Sequence, residues 1–281
     1  MVNAIEVHNL CKQFPSFDLG PLDLEIPKGC MVGYIGENGS GKSTTIKLIL
    51  GLLHPDQGEI KLLGKNTENQ DAQLMNKIGV VFDDLHLPLE MRVKDVVRFC
   101  SLSFDTWQAE VFDQYLTNFK LPLEQKVKNL SRGMKMKLSL AVALSHQAEL
   151  LILDEATSGL DPVVRDEVLD ILLDYLQDAN HTVFISSHIL SDLEKAADYI
   201  AFLHQGKILF MEEKDELRDE YALCSVDDKT LKDIEPGAIV GRRQHAFGQE
   251  LLVIRELMPD GIELARASIE DIMVYTIKGD E

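Results

Sequence analysis

An α/β fold built on a mostly parallel sheet is what this 281-residue sequence predicts, on three observations. Apolar strands alternate with helical segments along most of the chain, the arrangement that lays a parallel sheet between two helical layers. One strand, MVGYI (31–35), runs directly into a glycine-rich turn and helix, GENGSGKSTTIKLIL (36–50). Another, LLILD (150–154), is apolar for four residues and ends on an acid, as expected of a strand covered on both faces.

In chain order, IEVHNL (5–10) and LDLEI (22–26) read as alternating strands and MVGYI as a buried one. A helix is expected from Lys42 to about Gly51, then strands at GEIKLL (58–63) and IGVVF (78–82). Residues 92–128 carry a helical pattern that Pro122 interrupts, and a further helix is expected over 131–147. After LLILD come a helix at 162–177, the strand TVFIS (182–186), a helix from His188, and paired strands YIAFL and KILFM. EEKDELRDE (212–220) reads as a charged, solvated helix or linker, and 223–281 as short strands closed by a helix, ASIEDIMVYTIK.

The chain is long enough to bury a sizeable core, as one large domain or one with a small appendage. Its 45% apolar and 27% charged residues suit a soluble globular protein. The net charge of −19 weighs against a nucleic-acid partner held mainly through phosphates, which requires clustered Lys and Arg. Cys11, Cys30, Cys100 and Cys224 show no CxxC spacing, which implies free, mostly buried thiols in a reducing compartment. MVNAIEVHNL shows no signal-peptide pattern, and the longest apolar runs, LLIL and LSLAVAL, fall far short of the ~20 residues that span a bilayer. A cytoplasmic location is therefore expected, with any membrane role exerted through a partner.

GENGSGKST (36–44) fits G-x-x-x-x-G-K-[ST] between an apolar strand and a helix, the setting a phosphate loop needs. Gly36, Gly39 and Gly41 let the backbone N–H groups of Glu37, Asn38, Ser40 and their neighbours face one anion. Lys42 reaches the terminal phosphates, Ser43 offers a hydroxyl to Mg²⁺, and the helix through Thr44 adds its positive end. The residues point to a nucleoside triphosphate. Asp154 at the end of LLILD is placed to hold Mg²⁺ through water, and Glu155 to orient or deprotonate an attacking water. Two acids at a strand end also suit a capped helix. His188 follows a strand of the same sheet, whose carboxyl ends converge on one ligand edge; it suits either a γ-phosphate contact or a structural role.

Together these motifs resemble the ATP-binding subunits of ABC transporters of the bacterial export type, over about residues 3–215. The family's signature at a helix head, usually LSGGQ, is matched by LSRGM (Leu130–Met134), its D-loop by SGLD (158–161) and its switch histidine by His188. Its adenine-stacking aromatic is best matched by Phe14, and less well by Phe17. The resemblance implies a P-loop NTPase of ABC-cassette type: a domain over 1–215, with an N-terminal antiparallel β subdomain and a helical subdomain at about 84–147. A small α+β region of unassigned role would follow at 216–281. It also implies ATP hydrolysis with Mg²⁺, a second nucleotide-binding subunit, identical or paralogous, and an integral membrane transporter subunit. In the paired arrangement, Ser131, Arg132, Gly133, Met134 and Asp161 of one chain meet the nucleotide held by the other. LHLPLEMRVKDVVRF (85–99) would face the membrane subunit, with the protein peripheral on the inner face of the membrane.

Three departures stand out. Arg132 and Met134 replace the Gly and Gln of the signature, and Ala156 replaces a usual Pro. The Gln that follows the strand IGVVF, which touches Mg²⁺ and senses the membrane partner, is here Asp83. Asp83 either ligates Mg²⁺ or belongs to a solvated turn with Asp84; Arg132 either adds positive charge beside the nucleotide or points to solvent. Two other readings compete: a soluble ATPase of this family acting on DNA or ribosomes, and a non-catalytic regulatory module that binds ATP.

Overall fold

The computed structural model describes residues 3–67, 71–227, 229–245 and 248–279, so the first two residues of the expected domain lie outside the described residues. The chain begins with a hairpin, β1 (Asn3–Phe14) and β2 (Phe17–Pro27), followed by the buried strand β3 (Met31–Ile35) and helix α1 (Lys42–Ile49). Then come β4 (Gln57–Leu62), β5 (Lys65–Asn66), α2 (Ala72–Met75) and β6 (Ile78–Val81). The helical subdomain contains α3 (Val96–Ser101), α4 (Ala109–Asn118) and α5 (Arg132–Leu144). The core resumes with β7 (Leu150–Asp154), α6 (Pro162–Tyr175), β8 (Thr182–Ser186), α7 (Leu190–Ala196), β9 (Tyr199–His204) and β10 (Lys207–Glu213). Helix α8 (Lys214–Glu220) leads to β11 (Tyr221–Val226), β12 (Ile239–His245), β13 (Gly248–Ile254), β14 (Ala265–Arg266) and α9 (Ile269–Lys278).

The central sheet has the order β10-β9-β3-β8-β7-β6, parallel from β9 to β6 with β10 antiparallel at the edge. Every residue of β3, β7 and β8 is buried, which explains why their sequences are apolar throughout rather than alternating. The register sets Asp154 beside Ser186, and Ser186 beside Tyr34, so the three strands end together at one edge. A second sheet, β2-β1-β4-β5, is antiparallel and packs Leu10, Leu22 and Ile60 into the same core as Tyr34 and Phe184.

The helical subdomain has a small core of its own, including Val96, Phe112, Leu116 and Leu138. Only part of 92–128 is helical. After α3 the chain turns away because its polar groups bond to the end of α5: Thr106 Oγ1 donates to His146 O at 2.5 Å and Gln108 N to Ser145 O at 2.8 Å. Beyond α4, Pro122 disfavours helix at the residue before it. The backbone there runs extended against 91–94, with Val93 N donating to Gln125 O and Val127 N to Met91 O. Helix α5 stops at Leu144, short of the expected 147, where Ser145 Oγ donates back to Ala141 O. The helix expected from His188 begins at Leu190, because Ser187 Oγ first accepts from Ile189 N.

The charged segment 212–220 is neither linker nor fully solvated helix. Its last seven residues are α8, and Leu217, 1% exposed, is part of the main core. That core continues through Leu252, Ile269, Ile272 and Tyr275, so the C-terminal antiparallel sheet and α9 pack against the layer that holds the central sheet. The four cysteines are free and three of them are buried. Burial pushes the Cys30 and Cys100 thiols up to about 12, with Asp198 adding to the rise at Cys30.

Candidate nucleotide site

The ends of β3 and β7 meet in a cavity of about 580 Å³ lined by Phe17, Asn38, Gly39, Gly41, Lys42, Ser43, Thr44, Asp83, Glu155, Ser158 and His188. Nine of these are expected site residues, and Ser158 belongs to the matched D-loop. Phe17 also lines the cavity, whereas Phe14, preferred from the sequence, does not. Phe14 pairs with Phe17 across the hairpin and is 36% exposed.

The loop that follows β3 closes tightly over α1. Gly41, its N-cap, has φ 112°. A methyl there would lie 2.7 Å from Leu19 Cδ1 and 3.0 Å from the Phe17 ring, so both conformation and space demand glycine. Lys42 is 6% exposed and donates to Gly36 O at 2.7 Å and Glu37 O at 3.2 Å. Burial lowers its pKa, while Glu155 and Asp154 oppose that shift. Glu155 Oε1 is 3.8 Å from Lys42 Nζ. Ser40 Oγ is buried without a protein partner. A buried cation held mostly by carbonyls, beside an orphaned hydroxyl, suits a loop that wraps an anion.

Asp154 is fixed by two hydroxyls: Ser43 Oγ donates to its Oδ1 at 3.1 Å and Ser186 Oγ at 2.7 Å. Ser186 was not singled out from the sequence. The signal was a small polar residue ending the otherwise apolar TVFI run, but only the register places it beside Asp154. Ser186 also accepts from Glu155 N, at its Oγ (3.0 Å) and its carbonyl (3.2 Å). These bonds hold Glu155 at φ 53°, a left-handed conformation that is unusual for a non-glycine residue. The turn swings its carboxylate away from Asp154, toward His188, whose Nδ1 lies 2.5 Å from Glu155 Oε2.

The oxygen donors Ser43 and Asp154 fit Mg²⁺, a hard cation that usually takes one or two protein oxygens together with substrate phosphates. Among the described residues no group of three or more His, Cys, Asp or Glu could hold a metal ion without such help.

The signature segment lies at the head of α5. Ser131 caps the helix, its Oγ accepting from Met134 N at 3.2 Å. Gly133 allows close packing on α6, since a methyl there would lie 3.2 Å from Val164 Cγ1. Asp161 caps α6 by accepting from Val163 N and Val164 N. Arg132 is exposed and does not line the cavity; at the surface it pairs with Asp83. Ser131, Gly133, Met134 and Asp161 do not line the cavity of their own chain.

A protein-family model described as ABC transporter matches residues 19–158. The bacitracin transport ATP-binding protein BcrA of Bacillus licheniformis is 33% identical over 212 residues, covering 74% of this chain and 69% of that protein. The lantibiotic transport ATP-binding protein SrtF of Streptococcus pyogenes is 33% identical over 216 residues, covering 75% of this chain and 91% of its own length. A solved ATP-binding subunit of an ABC transporter matches with a TM-score of 0.70 at 27% identity, over 76% of this chain and 92% of that one. Among the described residues no helix is long and apolar enough to cross a membrane. ATPases of this family dimerise and work with membrane transporter subunits. The chain belongs to that family, as an ATP-binding and ATP-hydrolysing subunit of an ABC transporter.

Proposed function

We propose that this subunit drives export, and that its hydrolytic centre is the Lys42, Ser43, Asp154, Glu155 and His188 cluster. The observation that carries the reading is the short Glu155–His188 contact in the same cavity as the buried Lys42. Lys42 and the loop amides bind the β- and γ-phosphates and offset charge that develops on them. Ser43 and Asp154 would hold Mg²⁺, which supplies charge neutralisation at the phosphates. Glu155 accepts a proton from water as the water oxygen bonds to the γ-phosphorus and the bond to the β-γ bridging oxygen breaks. His188 orients the Glu155 carboxylate and reaches the γ-phosphate. Adenine stacks on the Phe17 side of the cavity, with Phe14 next to it in the hairpin.

Ser131, Gly133 and Met134 face the nucleotide of a second subunit, a copy or a paralogue, and Asp161 shapes the adjoining loop through its cap. Export agrees with the names of the relatives, which tie them to bacitracin and lantibiotic transport. Acidity of −19 disfavours a nucleic-acid partner, and a place on the cytoplasmic face of the membrane follows from the transporter role. The catalytic domain ends near residue 215, with 216–281 as an accessory region.

Glu155→Gln is the test. ATP binding persists in it, turnover falls by about two to four orders of magnitude, and the ATP-bound dimer becomes trapped and visible by size-exclusion chromatography. Unchanged phosphate release would remove Glu155 from the role of base.

A further inference from the structure

Two of the residues that depart from the family pattern meet each other. Arg132 Nη2 donates to Asp83 Oδ1. The partners come from different layers: Asp83 follows β6 of the core sheet, and Arg132 is the first residue of α5 in the helical subdomain. The guanidinium also lies over the loop after β7. A methyl on Gly159, whose φ is +66°, would sit 2.7 Å from Arg132 Nη1 and 2.9 Å from its Cζ. Asp83 and Ser158, the residue before Gly159, both line the nucleotide cavity. One side chain thus touches the helical subdomain's neighbour on each flank of that cavity.

The pairing has an electrostatic logic. A cation at the first turn of α5 faces the positive end of the helix dipole, which disfavours it. Asp83 supplies the compensating charge. The side chains are 47% and 55% exposed, so the pair is a surface ion pair, weak in water and sensitive to salt. It is too small to hold the fold together, yet large enough to shift the relative placement of the two packed layers it joins.

We propose that Arg132 and Asp83 form a charge brace within each subunit, and that Arg132 is thereby a positioning residue for ATP turnover. The brace keeps the head of α5, the end of β6 and the Gly159 loop in register, so that both flanks of the cavity stay aligned with the helical subdomain. This rests on the reading of the cavity as the ATP site, which the Glu155→Gln variant tests separately. A trapped dimer there, without coupling here, would sink the brace alone.

The test is a double-mutant cycle on kcat and KM for ATP, with Arg132→Gly, Asp83→Asn and the double variant. A second cycle uses the single reversals Arg132→Asp and Asp83→Arg and the exchanged pair that combines them. Each single change is expected to lower kcat about three- to fivefold, the size that an exposed ion pair supports, with KM moving less than about twofold. The double variant should lose no more than either single one. The exchanged pair should recover most of the loss of its own single reversals. The gap between wild type and single variants should also narrow as salt rises from about 0.05 to about 0.5 M. Losses that multiply in the double variant, or an exchanged pair worse than both reversals, would overturn the brace. Should a glycine at 132 prevent folding, Arg132→Lys at low and high salt reads the same coupling through a charge that lacks the guanidinium fork.

Discussion

The two ends of this molecule that are proposed to face phosphate, the Lys42 loop and the head of α5, are built differently. Around Lys42, buried groups bond to one another within one chain: Ser43 and Ser186 both hold Asp154, and Ser186 holds the backbone of Glu155 in its left-handed turn. At the head of α5, the polar groups serve local needs. Ser131 and Asp161 cap their own helices, Gly133 packs against Val164, and Arg132 pairs with Asp83. The first end is preorganised in a monomer, because burial and hydrogen bonding fix each group before any ligand arrives. The second presents a capped helix start but encloses nothing, which is what a surface completed by another chain needs.

The comparison breaks most visibly at Lys42. Lys42→Met should weaken ATP binding about a hundredfold or more, since even two charge-assisted hydrogen bonds at ~1.5 kcal/mol each amount to ~3 kcal/mol. Its melting temperature in the absence of nucleotide should hold or rise, because burial already penalises the ammonium that the change removes. A fall in both would mean that Lys42 also supports the fold. Calorimetry of binding and of unfolding on the same samples decides.

Ser131→Arg should leave each subunit's own ATP binding intact and lower turnover about a hundredfold, the scale of losing a donor that meets the transferring group. Loss of the cap should also cost about 1 kcal/mol of stability. Normal turnover in that variant would show that the head of α5 takes no part in hydrolysis. The smallest effect is expected at Gly159. Gly159→Ala adds a methyl beside the Arg132 guanidinium at φ +66° and should reduce turnover about two- to fivefold, on the scale of ~1 kcal/mol for a left-handed alanine. Equal losses with Arg132 and with glycine at 132 would assign the effect to backbone strain alone.

What was legible in the sequence was local. GENGSGKST carries its own turn chemistry, so loop, lysine and helix could be placed from their order, and LLILD and TVFIS showed their double-sided burial directly as apolar runs. The broken helix at 102–108 was not legible, because Thr106 and Gln108 bond to the end of α5, some forty residues later. Nor was the docking of EEKDELRDE, where a single Leu217 outweighs its charged neighbours by reaching the main core.

By itself, then, the sequence determined the parallel α/β class, the phosphate loop and the acids that follow β7, because their signals lie in contiguous residues and in strand periodicity. The tertiary structure alone decided three things. It turned Phe17 rather than Phe14 into the cavity wall, placed Ser186 against Asp154, and paired Arg132 with Asp83 across 49 positions of chain. Such contacts arise from strand register and from the packing of one subdomain on another, and no short stretch of residues encodes either.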